Sequence, residues 1–296
     1  MKKYIISVLL CVCMIIMAVP VKAYADMGPK PSVQVEFTGA GNQKYYATLL
    51  SEHESTGPAT VWDGTAENAR YKEGDAEYEI WKAFVEYKDA DGYYFLQEFW
   101  DCTESDRMNW SYYPPSPFKI LVYYPDSNSF FVTESYERYA FDSYYTVDLS
   151  QATSIASTGE NFDDVKKSYD YTWEIISLIA RIVLTVLLEV GIAWLFGYRE
   201  KKVMIFMVVI NLVTQIVLNI MLNVTNYNHG QMVFITNYIF YEYVVIVMEM
   251  IAYVSRINRI SKKQHTMKKA FIYTFVSNIL SFGAGLGIAY LIPGIF

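Results

Sequence analysis

Apolar positions fall into two regimes along the chain. Up to about residue 150 they come in short, alternating runs, and beyond about residue 170 they come in long, nearly unbroken blocks. In the first regime, SVQVEF (32–37) is apolar at every second position and KYYATLLS (44–51) is rich in aromatic and aliphatic residues, so both predict strands. The stretch 118–136 carries two further runs, 118–124 and 130–136, around Pro125-Asp126-Ser127-Asn128-Ser129, whose turn-forming residues predict a hairpin. FDSYYTVDL (141–149) predicts another strand. Between them, residues 75–92 place Ile80, Phe84 and Tyr87 at helical spacing and end on Asp91-Gly92. The prediction for 26–150 is an α+β domain, an antiparallel sheet covered by one helix. Residues 151–170 are rich in Ser, Thr and Gly and lack an apolar period, which predicts a linker.

The second regime predicts an all-α transmembrane domain over 171–296. Its four apolar blocks cover about 172–197, 203–222, 233–255 and 270–292, each near the ~20 residues that cross a hydrocarbon core. GYREKK after the first block and SRINRISKKQHTMKK before the fourth are basic, whereas NVTNYNHGQ between the second and third has no Lys or Arg. Basic loops stay on the cytoplasmic side, so residues 26–170 and the C-terminus are expected outside a cell membrane that the chain crosses several times.

Within these blocks the polar residues keep a pattern. A rise of about 1.5 Å per residue puts Glu189, Asn211, Glu249 and Asn278 roughly 9–13 Å from the basic ends of their segments. The same measure puts Arg181, Asn219 and Glu242 about 20–25 Å up, with Gln215 between the layers. Asn211, Gln215 and Asn219 step by four and share one face of a helix. An isolated charge at mid-membrane costs at least ~2.5–3.5 kcal/mol, so such residues are expected to be paired, protonated or hydrated. The expected outer pair is Arg181 with Glu242. The expected inner pair is Glu189 with Glu249, sharing a proton and assisted by Asn211 and Asn278. In the fourth block, Ser277/Ser281 and Gly283/Gly287 recur at four-residue spacing, a pattern for close helix packing within a bundle or a homo-oligomer.

The N-terminus changes the picture by placing the chain in the export pathway. Lys2 and Lys3 precede an apolar run from Tyr4 to Val19, and Ala23-Tyr24-Ala25 supplies small residues for a signal peptidase. Residues 1–25 are therefore expected to be a signal peptide cleaved between Ala25 and Asp26. The alternative is an uncleaved first helix; a lipoprotein signal at Cys11 is disfavoured by Leu10 before it. Cleavage would remove Cys11 and Cys13 and leave Cys102 alone, so the exported domain folds without an internal disulfide. The acidic neighbours of Cys102 in WDCTESD oppose a nucleophilic thiolate.

Charge and composition then narrow the chemistry. The 296 residues carry a formal charge of −7, and acidic residues dominate the first 150, which suits neither nucleic acid nor anionic lipid headgroups; the expected partners are the lipid bilayer, through the apolar blocks, and a cell-wall or other extracellular ligand. The aromatic-rich runs YYFLQEFW and NWSYYPPSPF could form a sugar-stacking platform, but small sheets commonly use such residues as core. His53, His229 and His265 lie too far apart in sequence for a metal motif, and no HExxH, phosphate loop or nucleophile elbow is present, so neither a catalytic residue nor a cofactor is expected.

The stretch from Leu187 to Tyr253, with LLEVGIAWLFGYREKK, N-LVTQ-IVLN and YEYVVIVMEMIAY, resembles the C-terminal four-helix membrane module of uncharacterised exported membrane proteins of Firmicutes. The resemblance implies architecture and carries no activity. Three function classes follow: a cell-envelope membrane protein with an exported sensor or binding domain; a proton- or ion-linked transport component using the intramembrane Glu residues; and an intramembrane enzyme, which lacks a motif.

Overall fold

A computed structural model describes residues 28–150 and 164–291. The expected signal peptide with its cleavage point at Ala25 and Asp26, residues 151–163 and residues 292–296 lie outside the described residues. The chain divides into two compact units, Pro29–Tyr169 and a helical unit from Asp170 onward.

The first unit contains eleven described strands and one helix. The strands are β1 (Ser32–Thr38), β2 (Tyr46–Ser51), β3 (Ser55–Thr56), β4 (Ala59–Thr60), β5 (Tyr94–Phe95), β6 (Trp100–Asp101), β7 (Arg107–Trp110), β8 (Phe118–Tyr124), β9 (Ser129–Val132), β10 (Asp142–Asp148) and β11 (Val165–Lys167); the helix is α1 (Tyr78–Glu86). They form two main sheets rather than the single antiparallel sheet expected. One runs β11-β10-β1-β7 and the other β5-β2-β8-β9, with β6 also on β2 and β3-β4 as a small separate hairpin. The first sheet is mixed, because β1 and β10 pair in parallel from Ser32↔Asp142 to Thr38↔Asp148.

The physical reason lies in β2 and β8, every residue of which is buried. A strand that is apolar on both faces needs a cover on each side. On one side, Tyr45, Ala47, Leu49, Ile120 and Val122 pack against Val33, Val35 and Phe37 of β1 and Tyr145 and Val147 of β10. On the other, Tyr46, Leu50, Leu121 and Tyr123 pack under Trp81 and Phe84 of α1. The order of layers is thus mixed sheet, antiparallel sheet, helix. The aromatic runs supply this core: Phe84 contacts the rings of Phe95, Phe99, Tyr123 and Phe130. The expected linker also ends early, since Val165–Lys167 pairs with β10 as the edge strand.

Lys119 of β8 points into the helix side and is almost fully buried. Its ammonium binds Asp89 at 3.1 Å and also Asp91, and lies 5.1 Å from the centre of the Tyr93 ring. Burial alone would lower its pKa, but the Asp91 and Asp89 carboxylates outweigh burial and hold it above the usual lysine range. The loop leaving α1 is tied to the sheet by these bonds.

The helical unit comprises α2 (Thr172–Leu195), α3 (Lys201–Ile260) and α4 (Met267–Leu291). Gly230 breaks α3 into two arms with φ 78° and ψ 174°, a conformation open essentially only to glycine, so four helical segments result. The loop expected at 223–231 is helical up to that glycine. Asn228 and Thr225 donate to the carbonyls of Val224 and Met221, one turn back, so these loop-prone residues sit in the helix without an unmet donor. Asn211 meets Tyr253 and Thr214 meets Glu249 across the two arms, so the arms run antiparallel. Two helices, over Glu174–Leu195 and Lys201–Ile260, are long and apolar enough to cross a membrane.

Candidate functional site: a polar ring inside an inverted helical unit

Burial in the helical unit is the reverse of that in the first unit. Fully or nearly fully buried are Arg181, Glu189, Asn211, Gln215, Asn219, Asn237, Glu242, Glu249 and Asn278. Exposed are large apolar side chains such as Leu187 (65%), Ile239 (61%) and Leu280 (52%), with many others along every segment. Water would penalise such a surface, and lipid would not.

Four of the predicted polar residues meet at one level of the unit, one from each segment. Glu249, on the second arm of α3, accepts from the Thr214 hydroxyl (2.7 Å) through Oε1 and from Asn278 Nδ2 of α4 (2.8 Å) through Oε2. Ser281, one turn beyond Asn278, donates to Oε1 of Glu189 on α2 at 3.4 Å. The Tyr273 hydroxyl donates to the Glu189 backbone carbonyl at 3.3 Å. Asn211, on the first arm, donates to the Tyr253 hydroxyl at 3.1 Å and stands beside Glu189. These contacts close a ring through all four segments. The electrostatic neighbours of Glu189 are Glu249 first and Glu242 next.

The outer level differs from the expected Arg181–Glu242 pair. Among the described residues, no ion pair within 4 Å joins them; the Arg181 guanidinium donates to Ser177 (3.3 Å) and Asn223 (3.2 Å). The side chains that interact with Glu242 are those of Glu249 and Tyr238. A cavity of about 10 Å³, room for about one water, is lined by Arg181, Thr185, Gln215, Asn219, Tyr238 and Gly285. The amide row is divided: Asn211 donates to the Met207 carbonyl of its own helix and its side chain also interacts with Glu189, as expected, whereas Asn219 donates to the Gln215 carbonyl one turn back. In α4, a Cβ on Gly285 would meet the Tyr238 hydroxyl at 2.9 Å, while Gly283 and Gly287 have nothing within 4 Å; the close approach is at a glycine outside the four-residue repeat. Ser281, expected as a packing residue, is a carboxylate donor. Its hydroxyl on the face of Asn278 was the only available signal.

The basic end of the unit is tied together by Glu200. Its carboxylate accepts from the Ser261 hydroxyl (2.6 Å) and from the backbone N–H groups of Lys262 (2.8 Å) and Lys263 (3.2 Å). Those bonds, the Lys262 N–H foremost, hold its pKa below the usual carboxylate range. Tyr198 packs its ring against His265 and under the Lys269 ammonium, 4.6 Å away. Burial, with Lys269 nearby, lowers the His265 pKa.

In the first unit, a groove of about 430 Å³ runs over the outer face of the mixed sheet, lined by Gln34, Glu36, Arg107, Asn109, Tyr144 and Ser168 among others. Arg107 and Glu36 form an ion pair across its strands at 2.9 Å. The groove was not legible in the sequence because its residues come from three strands distant in the chain, β1, β7 and β10, with Ser168 just past β11. Cys102 is no candidate: its thiol is buried, bonds the carbonyls of Arg107 and Trp100, and is pushed up to about 12 by burial and Asp101. Among the described residues, no three of His, Cys, Asp and Glu come together as metal ligands. Comparison with known protein families, with curated proteins and with solved structures finds no match for this chain.

Proposed function

We propose that this chain is a multi-pass cell-envelope membrane protein: its helical unit crosses the bilayer four times and carries the β-rich unit outside as a sensor or binding domain. The observation that carries this reading is the inverted burial of the helical unit, with carboxylates and amides inside and Leu, Ile and Val outward. That arrangement is stable where the surroundings are hydrocarbon. Basic residues gather at one end, in Arg199–Lys202 and around Lys262–Lys269, which is the cytoplasmic end under the positive-inside rule. The polar groove over β1, β7 and β10 has the size and hydrogen-bonding groups for a small polar ligand such as a cell-wall saccharide.

Topology tests the proposal directly. Cysteine is placed at Ser127, in the β8–β9 turn, and separately at Lys263, in the basic loop, and intact cells are treated with a membrane-impermeant maleimide. The buried Cys102 stays silent. Ser127→Cys is expected to label at once and Lys263→Cys only after permeabilisation. Labelling of both in intact cells, or of Lys263→Cys alone, contradicts the proposed placement.

A further inference from the structure

Two short loops close the basic end of the helical unit, residues 196–200 between α2 and α3 and residues 261–266 between α3 and α4. Between Val190 and Tyr241, and again beyond Met250, the chain has one acidic side chain, that of Glu200. Around it stand Arg199, Lys201 and Lys202 on one side and Lys262, Lys263 and Lys268 on the other, all of them exposed. Glu200 pairs with none of these cations. Its two oxygens are taken by the Ser261 hydroxyl and by the backbone N–H groups of Lys262 and Lys263. Among the described residues, no carboxylate oxygen lies within 4 Å of any of those cationic groups. The three bonds to Glu200 also clamp one loop against the other, so the cations of both loops form a single patch.

Such a patch fits an anion, and its rim says which kind. Trp194 and Leu195 end α2 four or five residues before Arg199, and Met267 and Phe271 flank Lys268; all four apolar side chains are half exposed or more. The Arg199 guanidinium lies 4.7 Å from the centre of the Trp194 ring, so one cation of the patch rests directly on that apolar rim. A partner that matches both surfaces carries an anionic head joined to hydrocarbon. Nucleic acid or an acidic peptide would match the cations and leave the rim facing water.

We propose that this patch is a binding site for the phosphate headgroup of anionic phospholipid, with the acyl chains laid against Trp194, Leu195 and Phe271. The inference rests on the membrane-spanning reading of the helical unit and adds a lipid preference to it. Basic loops orient a span without holding any particular lipid, whereas cations clamped together beside an apolar rim select one headgroup over another.

The test uses the purified full-length chain in mild detergent, titrated separately with phosphatidylglycerol, phosphatidylcholine and inorganic phosphate. Native mass spectrometry is expected to show phosphatidylglycerol retained at collision energies that strip phosphatidylcholine. The melting temperature is expected to rise to a plateau with phosphatidylglycerol and to stay flat with the other two. Salt at about 1 M should reduce the rise, because it screens charges on an exposed surface. The variant Arg199→Gln/Lys202→Gln/Lys262→Gln/Lys263→Gln is expected to melt cooperatively and to lose the preference. If it fails to fold, the wild-type comparison still decides. Equal retention of both lipids overturns the proposal and leaves the membrane-spanning reading standing, whereas a chain that binds neither lipid and stays dispersed without detergent overturns that reading too. Inorganic phosphate as effective as phosphatidylglycerol, or a preference undiminished in the folded fourfold variant, equally overturns the proposal.

Discussion

Replacing Lys119 by Met is the sharpest perturbation of the β-rich unit. The Lys119 side chain is 2% exposed and that of Asp89 1%, so the pair is dry, whereas Asp91 is 59% exposed. Removing one partner of a buried pair costs about 3–5 kcal/mol, because the remaining charge is left without compensation. Asp89 also accepts from the backbone N–H groups of Asp91 (3.0 Å) and Tyr93 (3.3 Å), which offset part of that loss. The expected cost of Lys119→Met is therefore at the lower end, about 3 kcal/mol. Asp89→Asn keeps an acceptor for both N–H groups, so Lys119→Met/Asp89→Asn should be clearly less damaged than the sum of the two single variants. Pulse proteolysis of the full-length chain across a urea series reads the stability of this unit. A cost below about 1 kcal/mol for Lys119→Met, or strict additivity in the double variant, refutes the claim that this pair holds the α1 loop to the sheet.

Two further changes address single residues. Gly230→Ala forces a Cβ into a backbone conformation open essentially only to glycine, at an expected cost of about 1–3 kcal/mol, read as a lower melting temperature in detergent; an unchanged melt would mean that the two arms of α3 are not held by that turn. For Cys102, alkylation at pH 8 is expected to be slower by more than about a hundredfold in the folded chain than in denaturant. The folded thiol ionises near 12 against an ordinary value near 9, so the unfolded chain releases its proton first and stability falls as pH rises from about 9 toward 12. Cys102→Ala should flatten the first part of that fall, between about pH 8.5 and 9.5, where the unfolded thiol ionises and unfolded tyrosines are still largely protonated, and a fall left intact there would assign it to other groups.

Local pattern carried the strands with strong period or turn chemistry. The expected 32–37, 118–124 and 141–149 lie within a residue of β1, β8 and β10. What local pattern could not carry was pairing. β1 and β10 join residues 110 apart, as in the Ser32–Asp142 hydrogen bond, and nothing near Ser32 announces a parallel partner. The unbroken burial of β8 was visible in the run FKILVYY, yet Lys119 within it masked a strand covered on both faces. In the helical unit, the spacing placed Glu189, Asn211, Glu249 and Asn278 at one level, and the contacts among their segments join them there. Partners were not legible. Whether Arg181 reaches Asn223 or Glu242 depends on how the helices rotate against one another, and Tyr238 fills the space beside Glu242.

The ring of four residues also separates two roles that single substitutions confuse. Asn278→Leu alone leaves Glu249 Oε2 without its donor, a cost of about 1–3 kcal/mol, and the same would follow whatever the ring serves. Replacing Glu189, Asn211, Glu249 and Asn278 together by Leu leaves no stranded partner among the four. Buried ionic clusters exchanged whole for apolar side chains are often neutral or stabilising, so the fourfold variant is expected to melt no lower than Asn278→Leu by itself. A lower melt would mean that the polar contacts contribute net stability rather than orientation. An equal or higher melt would mean that the ring is kept at a cost to folding. Its retention would then require a use for the carboxylate itself, since a bundle that only anchors could be built from leucine.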